Sequence, residues 1–377
     1  FGRVSEKEIG ALVRRFGGHK VLLHYGGGSI KRNGVYDRVI ASLKNAELPY
    51  VELPGVLPNP RSGLVYEGIA LCRKEKVDFI LAVGGGSAID SAKAIAAGVP
   101  YDGDFWDYYS TGKPVDVAVP VGTVLTIAAA GSEGSPDTVI THEQGNFKRG
   151  ATGEALRPKF SILNPEAMLT LPPYQSACGI TDMMAHVCER YFTNTQDVEI
   201  TDRLCEGVLK AIVEEAPKVF RDPQNYEARA NIMWAGMVAH NNLLGVGRQQ
   251  DWNSHRIEHE LSALYDVAHG AGLAVVMPAW MRYVMRHDIN RFAQFAVRVW
   301  GCDMNFAHPE LTAEEGIARF RAFLTSIGMP ATLAELGAKE EDIPRMVEHL
   351  FSAESEPMPG FMRLGRKDVE AILKLCV

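Results

Sequence analysis

The strongest constraint on the fold is an order that occurs twice: a short apolar run, a cluster of glycines closed by serine, then helical spacing. His19–Tyr25 (HKVLLHY) stops at Gly26-Gly27-Gly28-Ser29, and helical periodicity follows over Gly34–Asn45. Val77–Val83 (VDFILAV) stops at Gly84-Gly85-Gly86-Ser87, and AIDSAKAIAAG follows. Strand, glycine turn and helix in that order make a parallel α/β unit, with the turn at the carboxyl end of the strand, where such sheets bind ligands. Tyr50–Leu53, Val117–Val121 and Phe160–Leu163 are read as further strands. The first part of the chain is therefore expected to be a Rossmann-like parallel sheet.

Glycine lets backbone N–H groups approach a phosphate closely, and the N-terminus of the next helix adds partial positive charge. Ser87 is read as the cap of that helix. Neither glycine cluster fits G-x-G-x-x-G and no Walker lysine follows, so the chain carries neither the ordinary dinucleotide fingerprint nor a P-loop. Two clusters in parallel units fit a dinucleotide. No acid follows Gly28-Ser29 to grip a ribose 2′-hydroxyl, whereas Lys31 and Arg32 come at once, which favours the 2′-phosphate of NADP over NAD. Val124–Pro136 (VLTIAAAGSEGSP) is rich in small and hydroxyl residues; Thr126, Ser132 and Ser135 can bond a ribose or pyrophosphate. Lys148, in the hairpin-like piece Thr138–Gly150, can reach a ribose hydroxyl.

From Tyr174 onward almost every segment has helical spacing, and no strand-like alternation interrupts it. The expected domains are 1–173, an α/β dinucleotide-binding domain, and 174–377, an all-helical domain. In Ser254–Gly272, His255 and His259 stand four apart and leave one helical face; His269 follows, where Gly270 and Gly272 read as a break before Leu273–Met277. In Gly179–Phe192 (GITDMMAHVCERYF), Asp182 and His186 are also four apart. Single histidines on apolar helices are usually core residues. A carboxylate and several imidazoles on two helices are instead the donors a divalent transition metal needs, and burying Asp182 without a partner would be costly.

The net charge of −7 argues against nucleic-acid binding, and no apolar run approaches the roughly 18 residues of a membrane span. Six cysteines without a C-x-x-C pair fit a reducing compartment, so the cytoplasm is expected. The chain opens on Phe1 with no initiator Met, and further residues are expected ahead of it.

Taken together, YGGGSIKRNGVYD, LPNPR, AVGGGSAIDSAKA, VLTIAAAGSE, LPPYQ, GITDMMAHVCERYF and DWNSHRIEHELSALYDVAHGAGLAVVMPAWMRY span nearly the whole chain. In these motifs it resembles the iron-containing (group III) alcohol dehydrogenases, most closely their NADP-dependent butanol dehydrogenase and aldehyde reductase branch. The resemblance implies a dehydroquinate synthase-like fold, and metal ligation by Asp182, His186, His255 and His269. His259 resembles the family's non-ligand histidine beside the substrate and is the candidate to pass the alcohol proton to solvent. Cofactor contacts are implied from Gly28, Ser29, Asn59, Gly85, Gly86, Ser87, Asp90, Thr126, Ser132 and Lys148. Ser135 departs from the asparagine common in relatives, and Ala130 from their threonine.

Four protein ligands suit Fe(II) more readily than Zn(II), with Zn(II) the alternative. The expected activity is hydride transfer between NADP(H), or NAD(H), and a small primary alcohol or aldehyde, by a homodimer. Trp252, Asn253, Trp280 and residues near Phe361 are read as pocket walls. The rival reading is a metal- and NAD-dependent lyase of the dehydroquinate synthase-like type.

Overall fold

The computed structural model describes residues 1–377. The chain forms two compact units: Phe1–Pro172 with Pro223–Met237, and Pro173–Asp222 with Val238–Val377. The segment Pro223–Met237 thus joins the first unit although it lies far along the helical part of the sequence. Within that unit the Phe1 ring meets Trp234 edge-on, centroids 5.9 Å apart, and the Arg3 guanidinium lies over the Tyr226 ring.

The strands of the first unit are β1 (Val21–Tyr25), β2 (Tyr50–Leu53), β3 (Phe79–Gly84), β4 (Val121–Leu125), β5 (Asp137–His142), β6 (Phe147–Thr152) and β7 (Phe160–Leu163). Five form a parallel sheet in the order β2-β1-β3-β4-β7, and β5 pairs antiparallel with β6 as a separate hairpin. Helices α1 (Ile9–Arg15), α2 (Ser29–Arg32), α3 (Val35–Asn45), α4 (Ser62–Glu75), α5 (Gly86–Gly98) and α6 (Asp107–Ser110) accompany them. Every residue of β1, β3 and β4 is buried, which is why these strands read as continuous apolar runs rather than alternating ones.

The strand expected over Val117–Val121 begins only at Val121 and runs to Leu125. Pro120 has no N–H to give a ladder, so pairing starts after it; its carbonyl accepts from the Ile80 N–H at 2.9 Å.

The second unit is helical: α7 (Pro173–Tyr191), α8 (Glu199–Arg221), the end of α9 (Tyr226–His240), α10 (Asn253–Tyr265), α11 (His269–Val284), α12 (Ile289–Trp300), α13 (Pro309–Ser326), α14 (Ile343–Phe351) and α15 (Arg366–Lys374). No helix is long and apolar enough to cross a membrane. The Phe192, Trp280, Phe292, Phe295 and Phe361 rings pack together fully buried, each contributing about 2–3 kcal/mol relative to exposure. Trp280, read as a pocket wall, is therefore core, as is Phe361 itself. Asn253 is equally buried, and its side chain bonds Asp251 Oδ2 and the Met362 carbonyl.

Candidate functional site

The helical unit gathers the predicted ligands from three helices. Met183, Met184, Ala185 and Val187 are completely buried, so α7 holds Asp182 and His186 inside the unit, one turn apart. α10 supplies His255, and α11 supplies His269 as its first residue. His255 Nε2 lies 3.6 Å and His269 Nε2 3.8 Å from Asp182 Oδ1. Ligand atoms of these three residues all lie within 4.8 Å of one another. His186 adjoins the group: its Nδ1 is 3.0 Å from Asp182 Oδ1 and donates to the Asp182 carbonyl at 2.9 Å, and its ring centroid is 4.4 Å from that of His255.

Gly270 and Gly272 do not break a helix here; both lie inside α11. A Cβ on Gly270 would sit 2.0 Å from the Cys178 carbonyl oxygen, so this glycine lets α11 approach the backbone of α7 and brings His269 to Asp182. The break lies earlier, at Asp266, whose φ of 52° is left-handed.

Behind the imidazoles stand groups the sequence reading missed. Glu189 Oε2 is 2.6 Å from His255 Nδ1, and Glu189 Oε1 accepts from Ser254 Oγ at 2.5 Å. Glu258 accepts from His269 Nδ1 with one oxygen and from Ser262 Oγ with the other. The Arg190 guanidinium donates to the His186 carbonyl at 2.9 Å and to His240 Nδ1 at 2.8 Å, and lies over the Trp252 ring. The sequence holds only a faint signal for them: Glu189-Arg190 is a charged pair in a mostly apolar segment, whereas Glu258 has the residue type and spacing of an ordinary surface acid.

The electrostatics fit a cation. Asp182, Glu189, Glu258 and Arg190 are all buried, and with neutral imidazoles they leave an excess of negative charge that a divalent ion would offset. Burial opposes it, but the surrounding imidazoles hold Asp182 well below the usual carboxylate range. Burial likewise pulls His255 down, yet Glu189 and Asp182 outweigh it and raise the ring to about 10, a proton standing where positive charge is called for. Burial and the His255 charge lower His186. Asp182 Oδ1 and His255 Nε2 are buried without a well-formed hydrogen bond, which ordinarily costs about 1–3 kcal/mol each. A carboxylate and imidazole nitrogens are donors that suit Fe(II) or Zn(II), so these residues fit a metal.

His259 is half-buried on α10, its ring 5.6 Å from that of His269. Trp252 keeps its place beside the cluster, 5.5 Å from His255 and 5.6 Å from His186 between ring centres.

In the first unit, Gly28 and Ser29 are exposed where β1 passes into α2. The second loop turns on Gly85, whose extended backbone caps α5; the helix starts at Gly86, so Ser87 is its second residue and not its cap. A Cβ on Gly85 would lie 3.1 Å from Ile127, part of the loop after β4. Thr126 opens that loop, buried, its N–H bonded to the Gly84 carbonyl at 2.9 Å.

Asn59 and Lys148, far apart in sequence, meet: Lys148 Nζ donates to Asn59 Oδ1 at 3.0 Å. The β5–β6 hairpin docks on the Pro-Asn-Pro turn through the Thr141 N–H to the Pro60 carbonyl, and Asn59 takes a left-handed φ of 51°. Asp90 and Ser132 bond each other, Ser132 Oγ donating to Asp90 Oδ1 at 2.6 Å. Fully buried Lys93, missed in the sequence, donates to the Ser132, Ser135 and Asp137 carbonyls at 2.7–2.9 Å and fastens the loop to α5.

A glycine-looped parallel sheet and a helical unit with a buried carboxylate–imidazole cluster define the dehydroquinate synthase-like class. Within it, the chain belongs to the iron-containing alcohol dehydrogenase family and is an oxidoreductase. Residues 1–165 match the family described as iron-containing alcohol dehydrogenase, and 176–377 its C-terminal part. The chain is 44% identical over 376 residues to a probable NADH-dependent butanol dehydrogenase 2 of Bacillus subtilis, covering 99% of this chain and 96% of that one. It is 38% identical over 334 residues to the NADPH-dependent aldehyde reductase YqhD of Escherichia coli, covering 88% and 85%. The crystal structure of NADH-dependent butanol dehydrogenase A from Thermotoga maritima superposes with a TM-score of 0.97 at 42% identity, covering 100% and 96%.

Proposed function

We propose that this protein interconverts a small primary alcohol and its aldehyde with a nicotinamide dinucleotide, and that Asp182, His186, His255 and His269 hold a divalent metal, Fe(II) in preference to Zn(II). The observation that carries this is the convergence of buried Asp182 and His255 with half-buried His269, with His186 alongside. When bound, the metal supplies a Lewis acid for the substrate oxygen and the nicotinamide a hydride donor or acceptor.

The chain's own residues do the rest. Half-buried His259 exchanges the substrate hydroxyl proton with solvent in either direction. Gly28, Ser29, Gly85, Gly86 and Ser87 bind the dinucleotide through backbone and hydroxyl groups at two helix N-termini. Asp90 and Ser132 shape the loop after β4, whose first residue, Thr126, would contribute its hydroxyl to the dinucleotide, and the Asn59–Lys148 pair offers a cationic donor to a ribose.

NADP(H) is the proposed coenzyme, supported by the absence of an acid after Ser29 and by Arg32, whose guanidinium lies 3.1 Å from where a Gly28 Cβ would be. One observation favours NAD(H): Glu52, at the carboxyl end of β2, accepts from Tyr25 and Tyr36 hydroxyls at 2.6 and 2.7 Å and sets an acid near the first loop. Lys31 lies over the same two tyrosine rings. A ratio of kcat/KM for NADPH to NADH of one or below would reject the NADP(H) reading. The cytoplasmic setting is supported by six free cysteines. A homodimer is proposed, and sedimentation would test it.

The decisive experiment compares His269→Ala with His259→Ala on metal-loaded protein. The first is expected to lose metal and turnover together; the second to keep metal and lose about 10²–10³-fold in kcat. Loss of metal from His259→Ala, or its retention in His269→Ala, would reverse the assignment.

A further inference from the structure

The three imidazoles around Asp182 differ in what stands behind them. His186 turns its Nδ1 to Asp182 itself, carbonyl and carboxylate, whereas His255 and His269 each have a second buried carboxylate at Nδ1. Glu258 is the clearer case. It is fully buried on α10 and both oxygens are used, one by His269 Nδ1 and the other by Ser262 Oγ. It also lies within 4.8 Å of a His259 nitrogen.

Room for it is made in the neighbouring helix: a Cβ on Gly272 would meet Glu258 Oε1 at 2.5 Å and Cγ at 2.7 Å. A glycine inside a helix costs roughly 1 kcal/mol relative to alanine, and a buried carboxylate costs more. Helix packing alone would be better served by an alanine and an apolar residue at these two positions. The arrangement makes sense if the carboxylate acts through the ring it touches.

Building on the metal centre proposed above, we infer that Glu258 is a positioning residue that turns His269 Nε2 toward the metal. A carboxylate that accepts the Nδ1 hydrogen fixes the tautomer with its lone pair on Nε2, stops the ring from turning over, and makes that nitrogen a better donor. His269 needs this more than His186 does, because it is the first residue of its helix and more exposed, with 23% of its side-chain surface accessible against 5%. The same carboxylate lies within 4.8 Å of a His259 nitrogen, close to the ring proposed to carry the proton.

The test uses the full chain, stripped of metal and reloaded with Co(II) as a visible probe, and compares wild type, Glu258→Gln and Gly272→Ala. Glu258→Gln keeps a hydrogen-bond acceptor but removes the charge; Gly272→Ala keeps the charge but displaces it. Both are expected to weaken Co(II) affinity roughly 10–100-fold by chelator competition and to shift the Co(II) absorption bands, while metal-free melting of Glu258→Gln is unchanged. Equal affinity and identical spectra in wild type and Glu258→Gln would overturn the inference. So would complete loss of stoichiometric binding at millimolar Co(II) in Glu258→Gln, which would make Glu258 a ligand. A wild type that binds no Co(II) at all overturns the metal centre itself, a result distinguishable from both.

Discussion

His24 makes the brace between the two glycine loops measurable by pH. It is completely buried in β1, with Nδ1 2.8 Å from the Leu53 carbonyl at the end of β2 and Nε2 2.8 Å from Ser91 Oγ on α5. One imidazole thus joins the strand before the first glycine loop to the helix after the second. Burial lowers its pKa from 6.5 to about 4, against the opposing bond to Leu53. The unfolded chain therefore binds a proton near pH 6.5 that the folded protein refuses until about pH 4. Stability from this group is complete above pH 6.5 and is lost as pH falls toward 4. At about 1.36 kcal/mol per pH unit, the full loss is about 3 kcal/mol, and roughly 2.5 kcal/mol of it is reached by pH 4.5. Asp90, Glu133 and Asp251, raised by burial to about 6, 7 and 7, run the other way, since their stability is lost as pH rises. They are common to wild type and His24→Gln and cancel in the difference. Urea unfolding of metal-free protein at pH 7.5 and 4.5 is the assay, with circular dichroism as the signal. Wild type is expected to lose about 2.5 kcal/mol more than His24→Gln between these pH values. A difference below about 0.5 kcal/mol would refute the reasoning, because a buried imidazole that stays neutral must register there.

Gly270→Ala is expected to cost about 3 kcal/mol in stability and to weaken metal binding as well, since its Cβ would meet the Cys178 backbone at 2.0 Å and neither helix can yield by moving a side chain; thermal melting and metal titration together check this. Lys148→Ala, which removes the cation held by Asn59, is expected to raise the coenzyme KM about tenfold while metal content stays at the wild-type value, and a simultaneous fall in metal would sink the separation of roles.

What the sequence made legible follows from period and spacing. β1 and β3 carried continuous apolar runs because helices cover both faces of the sheet, and Asp182 with His186 were visible because a helix puts residues four apart on one face. What failed was the meaning of glycine. Gly270 and Gly272 looked like a helix break because glycine is a poor helix former, but each fills a place where another helix comes too close for a side chain. Only three-dimensional neighbours distinguish the two uses, and those neighbours, Cys178 and Glu258, are 92 and 14 residues away from their glycines in sequence.

The same limit explains why the candidate ligands were readable and the carboxylates beside them were not. A ligand set announces itself through residue type, since histidine is rare and four donors on two segments are rarer still. A supporting carboxylate does not, because Glu258 in HRIEHEL looks like any exposed helical acid. Burial is what changes its meaning: an acid with no accessible surface must be paired, and its partner is then the informative residue. Applied to Lys93, the same reasoning leads to Asp90 and the loop after β4; applied to Glu189 and Glu258, it leads to His255 and His269. In both units a buried charge marks a segment on whose position the proposed chemistry depends, so substitutions that keep charge but move it, such as Gly272→Ala, separate position from chemistry more cleanly than removal of the charged group.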